Sequence, residues 1–118
     1  MELSKRLKEI TLLIDKCNII ADIGTDHGYI PIYTVQEGLC TKAIASDINK
    51  GPVDKARMNV RREGLERFIS CRQGPGLSTL EPKEAEAVII AGMGGNLIRD
   101  IILKGNWKFR NLEKMRKK

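Results

Sequence analysis

Two acids and two glycines alternate in one short stretch, Asp22-x-Gly24-x-Asp26-x-Gly28, directly after an apolar run at residues 19–23. An apolar run of this length predicts a buried strand of a parallel sheet. The glycines let the backbone turn tightly and approach a ligand that a β-carbon would exclude. A strand, a glycine turn and a helix N-terminus in this order are typical of a nucleotide-type cofactor site.

The acids bear on which cofactor such a loop would take. A dinucleotide fingerprint has three glycines that clear space for a pyrophosphate, whereas this loop combines two glycines with two carboxylates. Carboxylates repel a pyrophosphate but attract the cationic methionine end of S-adenosylmethionine. We therefore favour S-adenosylmethionine over NAD. The alternative is a plain turn whose acids only cap the following helix.

Further residues of suitable chemistry are predicted at the same edge of the sheet. Asp47 lies 23 residues beyond Gly24, where a carboxylate can bind both hydroxyls of a ribose or else cap the next segment. Asp26 can balance positive charge on a methylated ring or only shape the loop. A lone histidine such as His27 more often packs or donates one hydrogen bond than acts as a base. The glycine-rich turn at residues 92–95 would let flat groups approach the backbone.

The rest of the chain supplies the elements that hold these residues. Apolar runs predict four strands, at residues 19–23, 41–47, 68–72 and 87–91. Helices are predicted at residues 29–37, 51–64 and 96–103, and an amphipathic N-terminal helix carries the apolar stripe Leu3, Leu7, Ile10 and Ile14. Alternating strands and helices predict an α/β fold with a parallel sheet.

Composition limits the class of protein. A chain of 118 residues has room for one small domain, and no apolar run approaches the ~20 residues of a membrane span, so we expect no membrane contact. Cys17, Cys40 and Cys71 have no metal-binding spacing, which predicts reduced thiols in a cytoplasmic protein and no metal site. The net charge of +6 resides in residues 104–118, a predicted basic tail with seven basic residues and one acid.

Four motifs resemble those of one enzyme family. They are Asp22-Ile23-Gly24-Thr25-Asp26-His27-Gly28-Tyr29, the pair Ile48-Asn49 after Asp47, Arg72-Gln73-Gly74, and Ala91-Gly92-Met93-Gly94-Gly95. In order and spacing they resemble the bacterial tRNA (adenine-22-N1)-methyltransferases, from about residue 3 to residue 103. The resemblance implies a Rossmann-type class I methyltransferase fold that binds S-adenosylmethionine and methylates N1 of an adenine in tRNA.

Position by position, the resemblance also implies roles for individual residues. Asp26 would be the catalytic carboxylate, and Pro75 stands where the family usually carries an acid that would meet the adenine amino group. The cofactor-binding residues would be Asp22, Gly24, Thr25, Asp26, His27, Gly28, Tyr29, Asp47, Ile48, Gly74, Gly92 and Met93.

Members of this family continue well past residue 103 with further strands and a helical domain. Residues 1–103 would then form a C-terminally truncated methyltransferase domain, followed by the tail at residues 104–118. The fourth strand would be an exposed edge, which predicts self-association, and the tail predicts salt-sensitive, unselective binding to tRNA phosphates. Two alternatives to the active enzyme stay open: a non-catalytic fragment that binds S-adenosylmethionine, and an NAD-dependent oxidoreductase.

Overall fold

The computed structural model describes residues 16–90 with their side chains and the backbone of residues 97–102 and 106–111. The elements in chain order are β1 (Cys17–Ile23), α1 (Tyr29–Gln36), β2 (Cys40–Asp47), α2 (Lys50–Arg62), β3 (Ile69–Gln73), β4 (Ala87–Ile90), β5 (Leu97–Ile102) and β6 (Asn106–Asn111). A single 3-10 turn, Gly76–Thr79, follows β3. The predicted N-terminal helix and the turn at residues 92–95 lie outside the described residues.

The strands form one sheet in the order β3-β2-β1-β4-β5-β6. Strands β1 to β4 pair in parallel, which confirms the predicted α/β fold with a parallel sheet. The chain first progresses outward from β1 to β3 on one side and then returns to place β4 on the other side of β1. In sheets of this kind, ligands bind outside the carboxyl ends of the strands where the order reverses. The loop that follows β1 lies at that point.

The segment predicted as a helix at residues 96–103 is instead a strand. β5 pairs antiparallel with β4, and β6 pairs antiparallel with β5. Six residues separate β4 from β5, too few for the crossover that a parallel strand requires. The β-branched side chains of Ile98, Ile101 and Ile102 also favour extended backbone.

Two predictions about the end of the chain change as a result. Because β4 lies between β1 and β5, the prediction that the fourth strand is an exposed edge is wrong. The predicted basic tail, residues 104–118, contains β6 and therefore contributes a strand to the sheet. Across the residues that the structure describes, no helix is long and apolar enough to cross a bilayer.

Both faces of the central strands are covered. On one face, α1 and α2 bury side chains such as Ile32 and Ala56 against Ile20 of β1. On the other face, Ala21 and its neighbours on β2 and β4 pack against Leu77 of the 3-10 turn. Successive residues of β1 thus face opposite layers, which explains why Ile19, Ile20, Ala21 and Ile23 are all apolar.

Candidate cofactor site at the carboxyl ends of β1 and β2

The loop from Gly24 to Gly28 is fastened to the end of β2. The backbone N–H groups of Gly24 and Thr25 both donate to the carbonyl oxygen of Ser46, at 2.8 and 2.9 Å. Gly24 has φ +81°, a left-handed conformation that costs glycine little, and this turns the chain sharply at the end of β1. The loop is therefore held beside Asp47, as the sequence predicted.

Asp22 is a buried acid beneath this loop. Its Oδ2 accepts a hydrogen bond of 3.0 Å from the Thr25 hydroxyl, whereas its Oδ1 has no hydrogen-bond partner among the described residues. Burial raises the pKa of Asp22 to about 7, the Thr25 hydrogen bond opposes the rise, and the negative charges of Asp26 and Asp47 add to it. A buried acceptor without a partner is unfavourable, so this oxygen suits a ligand that brings a donor or a positive charge.

Asp26 and His27 form a pair at the surface of the loop. His27 Nδ1 lies 2.6 Å from Asp26 Oδ1, and since an ionised carboxylate only accepts hydrogen bonds, Nδ1 is the donor. The His27 ring stacks on Tyr29, with centroids 5.2 Å apart and planes inclined by 15°. The acid predicted to be catalytic thus carries a fixed hydrogen bond, and His27 has the packing and donor role expected of it.

Gly28 is required for packing against α2. It has φ +74°, and a β-carbon there would lie 3.2 Å from Cβ and 3.3 Å from Cα of Ala56. The side-chain amide of Asn59, also on α2, donates to the carbonyl oxygen of His27 at 2.9 Å. We expected Gly28 to admit a ligand, but the close approach that it permits is that of a neighbouring helix.

Asp47 ends β2 and already accepts one hydrogen bond. The backbone N–H of Asn49 donates to its Oδ1 at 2.8 Å, which is the capping role that we considered beside ribose binding. A carboxylate has about four lone-pair sites, so this bond leaves capacity for a cis-diol. The next side chain, Ile48, is 61% exposed and offers an apolar surface to a flat ring.

The loop after β3 closes against the same strand end. The N–H of Gly74 donates to the carbonyl oxygen of Asp47 at 2.9 Å, and the hydroxyls of Ser46 and Thr79 are 2.8 Å apart. A β-carbon on Gly74 would lie 2.7 Å from Cγ2 of Thr79. Gly74 thus lies beside Asp47, and a side chain at this position would require Thr79 to move.

Sequence reasoning missed the ion pair that holds this loop. Arg72 binds Glu84 through two hydrogen bonds of 2.6 and 2.7 Å and also donates to the carbonyl oxygen of Thr79 at 2.8 Å. The guanidinium lowers the pKa of Glu84 to about 2. Arg72 belongs to one of the motifs quoted above, but no spacing pattern indicates a partner twelve residues later in an irregular connection.

The structure therefore brings together most of the predicted site residues at one edge of the sheet. These are Asp22, Gly24, Thr25, Asp26, His27, Gly28, Tyr29, Asp47, Ile48 and Gly74. Gly92 and Met93 lie outside the described residues. β4 ends at Ile90, which pairs with Ile23, the residue directly before the loop from Gly24 to Gly28 (the glycine loop).

The chain is similar in sequence to known methyltransferases. Residues 3–115 match the family model described as a methyltransferase domain. The chain is similar to the tRNA (adenine(22)-N(1))-methyltransferase of Bacillus subtilis, with 42% identity over 115 residues. That alignment covers 98% of this chain and 48% of the relative, so the chain spans about half the length of the curated relative it matches.

Solved structures of similar proteins share the fold. The crystal structure of the B. subtilis tRNA methyltransferase TrmK matches with a TM-score of 0.74 and 43% identity, covering 78% of this chain and 39% of that chain. The structure of M. capricolum TrmK in complex with the cofactor product S-adenosyl-homocysteine matches with a TM-score of 0.71 and 41% identity, covering 78% and 42%. A Streptococcus pneumoniae protein in complex with S-adenosyl-L-methionine matches with a TM-score of 0.74 and 35% identity, covering 78% and 44%.

Proposed function

Because the chain belongs to the methyltransferase-domain family, we propose that it is the cofactor-binding part of an S-adenosylmethionine-dependent enzyme that methylates N1 of an adenine in tRNA. The observation that carries the proposal is the position of Asp22. The Asp22 Oδ1 atom, which has no hydrogen-bond partner among the described residues, is buried under the loop from Gly24 to Gly28, and Asp26 and Asp47 are close enough to raise the pKa of Asp22. Three acids around one turn favour a cationic ligand over one that carries a pyrophosphate.

The proposed cofactor has two ends that differ in chemistry, and so does the site. We assign the cationic methionine end to the loop after β1, where the residues are Asp22, Gly24, Thr25, Asp26, His27, Gly28 and Tyr29. The ribose and adenine belong beside Asp47, Ile48 and Gly74. This arrangement is supported by the capacity of Asp47 for further hydrogen bonds and by the exposure of Ile48.

S-adenosylmethionine, held by the residues above, would supply an electrophilic methyl group to the N1 lone pair of the adenine. The protein contributes positioning and a fixed electrostatic environment. We assign the stabilisation of positive charge on the methylated ring to Asp26, whose exposed carboxylate is oriented by His27. Gly92 and Met93 are the residues that we expect beside the target base.

The target adenine must be accessible at N1. That nitrogen is masked in a base pair, so the base has to be unpaired or turned out of its helix. The B. subtilis relative is named for adenine 22 of tRNA, and we propose the same substrate here. A tRNA substrate in turn supports a cytoplasmic location.

Methyl transfer to tRNA tests this proposal. On incubation with tritium-labelled S-adenosylmethionine and a tRNA transcript, the label that is transferred should be on adenine 22, and a transcript with guanine at that position should take up none. Because the chain spans about half of its relative, we expect its rate to be low. Asp26→Asn should lower the rate by roughly a hundredfold. Asp54→Asn is the matched control, because it removes the same charge from an exposed ion pair on α2. Label on another atom or another nucleotide would contradict the assignment.

A further inference from the structure

Two thiols are in contact at the opposite end of the sheet from the candidate site. Cys17 at the start of β1 lies directly across from Cys40 at the start of β2 in the parallel register. Their Sγ atoms are 3.2 Å apart and are not joined by a disulfide. Neighbouring strands are about 4.8 Å apart, which is within the Cα separation that disulfides span. The backbone is therefore already spaced for a bond between the two sulfurs.

The surroundings of this pair allow a small molecule to reach it. A depression of about 460 Å³ is lined by both cysteines and also by polar residues that include Lys16, Asn18 and Glu86. Cys40 is 4% exposed, whereas Cys17 is only half-buried, so Cys17 is the sulfur that a reagent meets first.

Cys40 differs from the third cysteine, Cys71, in the direction in which its thiol pKa is shifted. The hydrogen bond from Cys17 holds the pKa of the Cys40 thiol below its ordinary value, whereas burial raises the pKa of Cys71 on β3. A thiolate is the species that attacks a disulfide sulfur. Since the Sγ atoms of Cys17 and Cys40 are 3.2 Å apart, Cys40 is placed to attack a mixed disulfide at Cys17, whereas Cys71 on β3 has the less acidic thiol.

We propose that Cys17 and Cys40 are a reversible modification site that forms an intramolecular disulfide on reaction with a low-molecular-weight disulfide. The Cys17 thiolate attacks one sulfur of the reagent, which forms a mixed disulfide and releases one thiol. Cys40 then attacks Cys17 Sγ, and the second thiol leaves. The two protons of the cysteines end on the released thiols, and two electrons pass from the protein sulfurs to the reagent.

The new bond would close a ring from Cys17 to Cys40 that contains the whole glycine loop and α1. Closing a loop of this length restricts the unfolded chain and should raise the melting temperature by roughly 10 °C. β1 has seven residues, so the pair is about 20 Å from the loop, and the bond does not obstruct the candidate site. The inference is independent of the proposed function.

Oxidation of a chain with only these two cysteines tests the inference. A Cys71→Ser variant is treated with oxidised glutathione and studied by intact-mass spectrometry and thermal unfolding. The expected product is a monomer that has lost two hydrogens, that melts roughly 10 °C higher, and that returns to its starting state on reduction.

Removing the resolving thiol provides the control. In the same background, Cys40→Ser should stop at a stable glutathione adduct on Cys17 with no rise in melting temperature, and Cys40→Ala serves if the serine variant does not fold. A persistent glutathione adduct when both thiols are present, a disulfide between two chains, or an unchanged melting temperature after oxidation would each overturn the proposal.

Discussion

At the scale of single residues, Asp22 carries the largest electrostatic cost in the candidate site. An acid inside a protein is neutralised unless a positive charge or several donors compensate its burial, and here one hydroxyl does so in part. The neighbouring acids oppose ionisation further. The free site therefore has an unfavourable charge distribution that a cationic ligand would relieve.

The raised pKa of Asp22 predicts how stability depends on pH. Since the pKa is 3.8 ordinarily and about 7 in the fold, the folded chain keeps a proton that the unfolded chain loses between these values. The free energy of unfolding should thus fall by a few kcal/mol as the pH rises from about 4 to about 7. Urea denaturation across this range should show the fall in the wild type and its loss in Asp22→Asn. Asp54→Asn should retain it, and an unchanged slope in Asp22→Asn would remove this residue as the cause.

Asp47 should contribute directly to cofactor affinity. Replacing it with alanine removes an acceptor that we assign to the ribose, which should cost roughly 1.5–3 kcal/mol, or about ten- to a hundredfold in affinity for S-adenosylmethionine. Titration calorimetry measures the change, and Asp54→Ala is the control for a lost charge. Equal affinity in wild type and Asp47→Ala would leave Asp47 with only its capping bond to Asn49.

At the scale of elements, the glycine loop is positioned from both sides. β2 fixes its start through the carbonyl oxygen of Ser46, and α2 fixes its end through Asn59 and the close contact at Gly28. The ion pair of Arg72 and Glu84 positions the second loop of the site. The site is thus built on rigid elements although most of its residues belong to loops.

Gly28 and Gly38 have similar backbone conformations but different surroundings. Replacing each with alanine therefore separates the stability cost of backbone strain from that of steric contact. Gly28 has φ +74° beside Ala56, whereas Gly38 has φ +72° with open space around it. Gly38→Ala should cost about 1–2 kcal/mol of stability from backbone strain alone. Gly28→Ala should cost about 1–3 kcal/mol more, because α2 must also move. Both values follow from urea denaturation. Equal losses in the two variants would show that the contact is relieved without cost.

The elements that sequence predicts best are those with a local signal. The strand and helix that flank the glycine loop are predicted within two residues, because the apolar run and the two glycines mark both ends. The prediction of a helix at residues 96–103 is wrong because two adjacent apolar residues are compatible with either a helix or a strand. The segment becomes a strand because it hydrogen-bonds with β4. The contacts of Gly28 and of Arg72 depend on distant segments and leave no local pattern.

At the scale of the whole molecule, charge and topology bear on the partner. The net charge of +6 resides in residues 104–118, which include β6 at the end of the described sheet. Under the proposed function, basic residues there would contact tRNA phosphates, and such contacts position an RNA without selecting a base. These contacts would therefore not account for the choice of one adenine. Self-association of the chain remains a prediction. It can no longer be argued from an exposed edge at β4, because β4 lies inside the sheet.

The choice of cofactor is the central claim, and a direct binding experiment tests it. Titration calorimetry of the full chain with S-adenosylmethionine, S-adenosyl-homocysteine and NAD should show one site for each of the first two ligands and none for NAD. The two adenosyl compounds share an adenosine and an amino-acid group, whereas the pyrophosphate of NAD would face Asp22, Asp26 and Asp47. Binding of NAD, or no binding of either adenosyl compound, would contradict the assignment of this site.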